Sequence, residues 1–273
     1  MSSFGFGFGT GIAKAGGVSY DADASAFFIA ASITDTTQKS AVNQLVLDLK
    51  SYGIWTKCSA IYPIVGGSAT SHKYNLKNPL DTNAAFRLTF STGWTHASTG
   101  MTGASAYANT NLTPSSSLTA NNTHLSIYMG TDTAAGNKVE MGVGVGGTLI
   151  PIMILMSKYT GTIAQSNAYN LSTNQITASN TNASGFYIGS RTSSTSHKLY
   201  KSSSILATDT NTNSNTLPTL SMTIGALNSN GSIVQYSDRR FQFASIGSGL
   251  TDTEAANFYT AVQAYQTTLN RQV

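Results

Sequence analysis

From Ile54 to about Gly247 the chain is a succession of short apolar runs, each cut off by Gly, Asn, Ser or Thr before a helix could form. Phe86, Leu88 and Phe90 alternate with Arg87 and Thr89. Likewise His124, Ser126 and Tyr128 alternate with Leu125, Ile127 and Met129. Further runs are Gly185–Gly189, Lys198–Tyr200 with Ile205–Leu206 across a Ser-rich turn, Met222–Gly225 and Phe241–Ile246. A period of two over such short lengths predicts a sandwich of strands joined by polar loops, of which Leu112–Thr123 and Asp209–Pro218 are the longest.

Helical patterns flank this block. Over 20–53, Ala24, Phe27, Phe28 and Ile29 sit in an alanine-rich stretch. Asp35, with Gln38 three residues on, then has the form of a helix N-terminus. Val42, Leu45, Val46, Leu49 and Tyr52 follow at helical spacing up to Gly53, a C-terminal stop. At the other end Thr251-Asp252-Thr253-Glu254 is a capping box that opens a helix over 251–270. Its apolar stripe, Phe258, Val262, Tyr265 and Leu269, is a packing interface for the sandwich or for another copy. The organisation read here is an arm over 1–19, a helical segment over 20–53, and a β-sandwich with its C-terminal helix over 54–273.

The arm is unusual. Phe4, Phe6 and Phe8 alternate with Gly5, Gly7 and Gly9. Glycine leaves such a backbone no shape of its own, while the phenylalanines seek burial. They are candidate anchors onto a partner surface.

Charge excludes several function classes. Only 10% of the 273 residues are charged, against roughly 25% in ordinary soluble domains. Ser, Thr and Asn keep the surface wet instead, as in adhesins and virion proteins. The net charge of +4 is spread along the chain without a basic cluster, so no nucleic-acid partner is expected. The run Leu149–Met156 is interrupted by Pro151 and is far short of a membrane span. With no charged-then-apolar leader either, synthesis in a cytoplasm without membrane insertion is expected.

The inventory of reactive groups is thin. The single Cys58 opens a strand-like run and reads as a buried structural thiol. His72, His96, His124 and His197 have no ligand spacing, so no metal and no other cofactor is expected. Gly142–Gly147 lacks the Lys-Ser/Thr of a phosphate loop and reads as a glycine-rich strand and turn. Of the two glutamates, Glu254 is spoken for by the capping box. Glu140 would have to work with a distant Asp132 or Asp238 to cleave a glycosidic bond. No catalytic residue is therefore assigned, and the chain is expected not to be an enzyme. Trp94 is the candidate for stacking on a sugar ring. Burial in the core is the alternative for so large an aromatic.

Two groups of segments carry a resemblance. Ser184–Arg191 followed by His197–Lys201 resembles the paired strands of concanavalin A-like (laminin G-like) jelly-roll domains. Ile224–Asn228, Phe241–Ile246 and Gly249–Asn257, with Ala41–Trp55 and Ile61-Tyr62-Pro63, are similar to structural proteins of bacteriophages. Together they cover most of 20–273. The resemblance implies a mainly β, concanavalin A-like jelly-roll sandwich with N-terminal helices and a C-terminal helix. It implies a place in the virion as spike, fibre, tail or capsid decoration, held by the arm to other virion proteins. It also implies a homo-oligomer, trimer or pentamer, and contact with host-surface glycans. The glycosidase members of the jelly-roll class carry a Glu-x-Asp-x-x-Glu strand that this chain lacks. A dedicated carbohydrate-binding receptor-recognition protein and a glycan hydrolase are the competing readings.

Overall fold

A computed structural model describes residues 19–147, 149–160, 163–168, 175–213 and 216–273. The candidate anchors Phe4, Phe6 and Phe8 lie outside the described residues.

The helical segment is two helices, α1 (Ala22–Ala30) and α2 (Thr36–Ser51). Asp21 caps α1 by accepting the Asp23 amide, and Asp35 caps α2 by accepting the Gln38 amide. At the end of α2, Gly53 takes a φ of 72°. Its amide then donates to the Lys50 carbonyl and the Ile54 amide to the Leu49 carbonyl, which closes a Schellman turn. Val42, Leu45, Val46 and Leu49 are buried as the spacing predicts, but Tyr52 lies past the last helical turn and is exposed.

Two sheets face each other. The first runs in the order Ser204–Asp209, Ser196–Lys201, Gly185–Ser193, Thr123–Met129, Arg240–Gly247, Gly100–Gly103, Trp94–Ala97, and Cys58–Tyr62 also pairs with Arg240–Gly247. The second runs Gln175–Ser179, Ile163–Ala168, Ile152–Tyr159, Met141–Gly144, Thr223–Ile224, Ala108–Asn109, Thr89–Phe90. A hairpin of Leu227–Ser229 and Ser232–Val234 joins it, Leu227–Ser229 lying parallel to Met141–Gly144. The molecule is thus a mainly β, jelly-roll-like sandwich with helices at both ends of the chain.

Alternation assigns the faces. Leu125, Ile127 and Met129 of the first sheet meet Met141, Val143, Met153 and Leu155 of the second to form the inner core. On the outer face of the first sheet, Tyr128, Phe186, Ile188 and Phe243 pack against α1, α2 and the C-terminal helix α3 (Asp252–Thr268). All seven residues of Thr123–Met129 are consequently buried, the polar alternate positions included. Phe258, Val262 and Tyr265 are the buried stripe of α3, while Leu269 is its C-cap and half-buried. The outer face of the second sheet carries a smaller cluster of Val139, Ile152, Ile154, Met156 and Leu227.

One predicted strand is shorter than its pattern. Phe86 ends a 3₁₀ turn in the left-handed region, at φ 58°, and only Thr89–Phe90 joins the sheet. The alternation there comes from a turn followed by a two-residue strand. Among the described residues no helix is long and apolar enough to cross a membrane.

Candidate functional site

The start of α3 builds a pocket on the first sheet. Thr251 accepts the Glu254 amide and Glu254 reaches back to the Thr251 amide, so the capping box forms as the sequence predicts. Glu254 also pairs with Lys57 at 2.7 Å. This fixes Asp252, the first helical residue, over the strand Ser196–Lys201. Lys198 and Tyr200, two positions apart, point to the same face of that strand. Lys198 Nζ lies 2.7 and 2.8 Å from the two Asp252 oxygens, and the Tyr200 hydroxyl donates to Oδ1 at 2.7 Å. Ser190, opposite Lys198 in the adjoining strand, donates to the Leu250 carbonyl and accepts the Leu250 amide.

These groups surround an open pocket of about 200 Å³, completed by Thr192, Ser196 and Thr251. The hydrogen bonds from Lys198 and Tyr200 hold the Asp252 carboxyl below its ordinary range. Burial, then Asp252, pushes the Tyr200 phenol up, so it stays a donor. The pocket therefore offers an ammonium, a carboxylate, a phenol and several hydroxyls at close range. That set suits a ligand whose own groups both donate and accept. Asp252 is the one carboxylate among the residues lining it, where most glycosidases use a pair.

The other reactive groups are engaged elsewhere. Glu140 is fully buried and pairs with neither Asp132 nor Asp238. Those bind Lys158 and Lys138, and Glu140 binds Arg239 at 2.6 Å, itself fully buried. The Ser157 amide and Ser237 hydroxyl also donate to Glu140. Burial raises the Glu140 pKa, while Arg239 and these donors oppose the rise. This is a structural ion pair that ties the second sheet to the entry of Arg240–Gly247.

His124 and Ser245 have the atom types of a base and a nucleophile. His124 Nε2 accepts from Ser245 Oγ at 2.9 Å, since its Nδ1 lies 2.6 Å from the Ser248 carbonyl and must carry the proton. The pair is buried beneath Phe258 of α3, and burial pulls His124 down to about 4. Both side chains are closed off from solvent. His72 and His96 also meet, Nδ1 to Nδ1 at 2.9 Å. The Gly67 amide donates to His72 Nε2, which leaves His72 Nδ1 as the donor to His96. Among the described residues no third ligand completes a metal site there or elsewhere.

Cys58 is buried, and burial pushes its thiol up to about 12. Trp94 is half-buried, edge-on to Phe241 and Phe90, and rests on Gly225, where a Cβ would come within 2.8 Å of the indole. Its Nε1 is buried without a partner. This is the position of a wedge closing one edge of the sandwich.

Sequence reasoning did not single out Lys198, Tyr200 or Asp252. Alternation puts the first two on one face and the capping box locates the third. That the helix starts over this strand is a tertiary fact.

No family model and no curated protein matches the chain. Solved structures do. Domain 4 of AbnA, an extracellular arabinanase from Geobacillus stearothermophilus solved with arabinotriose, matches with 10% identity and a TM-score of 0.50, over 74% of this chain and 98% of that one. The NanB sialidase of Streptococcus pneumoniae matches with 10% identity and a TM-score of 0.44, over 62% of this chain and 27% of that one. The CBM40 domain of the Ruminococcus gnavus IT-sialidase, bound to α2,3 sialyllactose, matches with 12% identity and a TM-score of 0.39, over 50% and 80%. This chain spans about a quarter of the sialidase's length. What the arabinanase domain shares with it is the sandwich fold.

Proposed function

We propose that this chain is a structural component of a bacteriophage virion whose sandwich contacts host-surface glycans through the pocket at the start of α3. The observation that carries the glycan part is the convergence of Lys198, Tyr200 and Asp252 among hydroxyls, 2.7–2.8 Å apart, on an open surface. Sugar hydroxyls are both donors and acceptors, and a fixed ammonium–carboxylate pair satisfies both roles. The fold shared with the arabinanase domain is consistent with this use. The virion part rests on the resemblance of Ala41–Trp55 and Gly249–Asn257 to phage structural proteins and on the sparse charge of the surface. In this reading the arm holds the chain to other virion proteins in a homo-oligomer. The chain binds without cleaving, because Glu140 and Glu254 are locked in structural pairs and Asp252 stands alone in the pocket.

A glycan array probed with the full chain tests the binding. At least one host-type glycan should be retained, and Lys198→Ala should weaken it about tenfold or more with melting unchanged, as for loss of a charge-assisted hydrogen bond. Retention of no glycan, or retention indifferent to Lys198→Ala, would leave only the structural role. Release of reducing sugar from the retained glycan would overturn the non-catalytic reading.

A further inference from the structure

The pocket at the start of α3 is lined by one cation and one anion, and most of their hydrogen-bonding capacity is spent on each other. The Lys198 ammonium has three protons to give, and two of them go to the two Asp252 oxygens. The Asp252 carboxylate has about four lone-pair positions. Its Oδ1 receives Lys198 and Tyr200, and its Oδ2 receives Lys198. Among the described residues, what remains is an N–H on Lys198 and a lone pair on Oδ2, on atoms 2.8 Å apart. The Asp252 side chain is 56% exposed and that of Lys198 26%, so both free positions are met from solvent.

We propose that this pocket selects uncharged sugars by a pair of adjacent ring hydroxyls and turns away sugars that carry an acidic group. One hydroxyl accepts the free Lys198 N–H while its neighbour donates to Asp252 Oδ2. The oxygens of a gauche vicinal diol stand about as far apart as Nζ and Oδ2, so one edge of a sugar ring meets both atoms at once. Those of a trans-diaxial diol stand too far apart to do so. Selection then rests on the stereochemistry of the hydroxyls.

An acidic sugar meets no unmatched cation here. Lys198 is held by Asp252 and the nearby Lys57 by Glu254, and both carboxylates sit in the first turn of α3, where they answer the positive end of the helix. To reach Lys198, an acidic group must displace Asp252 or lie beside it, like charge against like charge. The apolar face of a sugar finds no platform either, since Tyr200, the one aromatic residue lining the pocket, is 3% exposed. This inference rests on the glycan-binding reading of the pocket and adds the class of sugar it takes.

The test uses the full chain on an array that pairs each neutral glycan with a counterpart whose terminal hexose is the uronic acid. The ring hydroxyls then stay and only the charge changes. The neutral member should bind about fivefold or more tighter. In a series of monodeoxy versions of a retained sugar, loss of either of two adjacent hydroxyls should weaken binding about tenfold, as for a hydrogen bond to a charged group. Asp252→Asn leaves Lys198 unmatched and should narrow or reverse the preference for the neutral member, with melting followed alongside. The two series on the parent protein decide the matter even if that variant does not fold. An acidic member bound as well as the neutral one through Lys198 would overturn the inference and leave the glycan reading standing. Losses confined to one hydroxyl, or to hydroxyls that are not neighbours, would do the same. Retention of no glycan, or retention indifferent to Lys198→Ala, would sink both.

Discussion

The outer face of the first sheet carries Tyr128, Phe186 and Phe243 beneath three helices, whereas the outer face of the second carries a small cluster around Ile154 that, among the described residues, no helical residue joins. The first face is a second core as extensive as the one between the sheets. The aromatic rings of Phe186, Phe243 and Phe258 meet edge to face with centroids 5.2–6.0 Å apart, a geometry that adds to the area they bury. The second face is lined by aliphatic side chains over glycines, and Val234 at its rim is 38% exposed. Within one sandwich, then, one sheet is covered by the chain's own helices, while on the other a short hairpin lies beside a small apolar cluster whose side chains are also buried. The difference is one of scale. Changes in the first face should therefore cost more folding stability than changes at the exposed rim of the second.

The harshest test of that division is Val262→Asp. Val262 is fully buried in the middle of α3, within the cluster that contains Phe243 and Phe258. A carboxylate there has no partner, and we expect a loss of about 4 kcal/mol or more. The check is urea unfolding followed by circular dichroism. A variant with the parent's urea midpoint and slope would show that the helix is a surface addition and would erase the contrast between the faces.

The helix-covered face was largely legible before its partners were known. Asp35, Gly53 and Thr251–Glu254 mark their helix ends through local hydrogen bonds that any chain with those residues can make, and the stripe from Phe258 to Tyr265 is set by the helical period alone. Tyr52 and Phe86 were misplaced because an apolar residue continues a periodic pattern even where the backbone has already turned. The pairs Glu140–Arg239 and His72–His96 were illegible for a different reason. Their members lie far apart in sequence, on a one-turn helix, an edge strand and two bends, and nothing local records which segments converge. The pocket falls between these cases: its parts were visible as alternation and cap, but its closure by α3 over Ser196–Lys201 was not.

Acid should act on the helix-covered face in a graded way. His124 is held neutral beneath α3, with its pKa lowered by burial to about 4, while in the unfolded chain it is near 6.5. As pH falls below about 6.5 the unfolded state takes up a proton that the folded state refuses, so stability drops by about 1.4 kcal/mol per pH unit for this group until about pH 4. His72, lowered to about 3 by burial and by the nearby His96 and Arg271, adds in the same direction. Unfolding free energies at pH 7, 5.5 and 4.5 should show this slope, and His124→Gln should flatten it while lowering stability at pH 7. An equal slope in the variant would mean that His124 is protonated in the folded protein, against the tautomer its hydrogen bonds require.

The smallest effects give the sharpest comparison. Thr251 caps α3 through its hydroxyl, which accepts the Glu254 amide. Thr251→Ala removes that acceptor from the start of a helix whose stripe closes the first sheet, and the expected cost is about 1 kcal/mol. Val234→Ser, at the exposed rim of the second face, removes a side chain that already meets solvent and should stay within about 0.5 kcal/mol of the parent. Both are read as shifts of the urea midpoint at unchanged slope, so that a change in the unfolded state is not mistaken for a change in the fold. If instead Val234→Ser costs as much folding stability as the cap, the rim of the second face is as integral to the fold as the helix start and the comparison between the two faces fails.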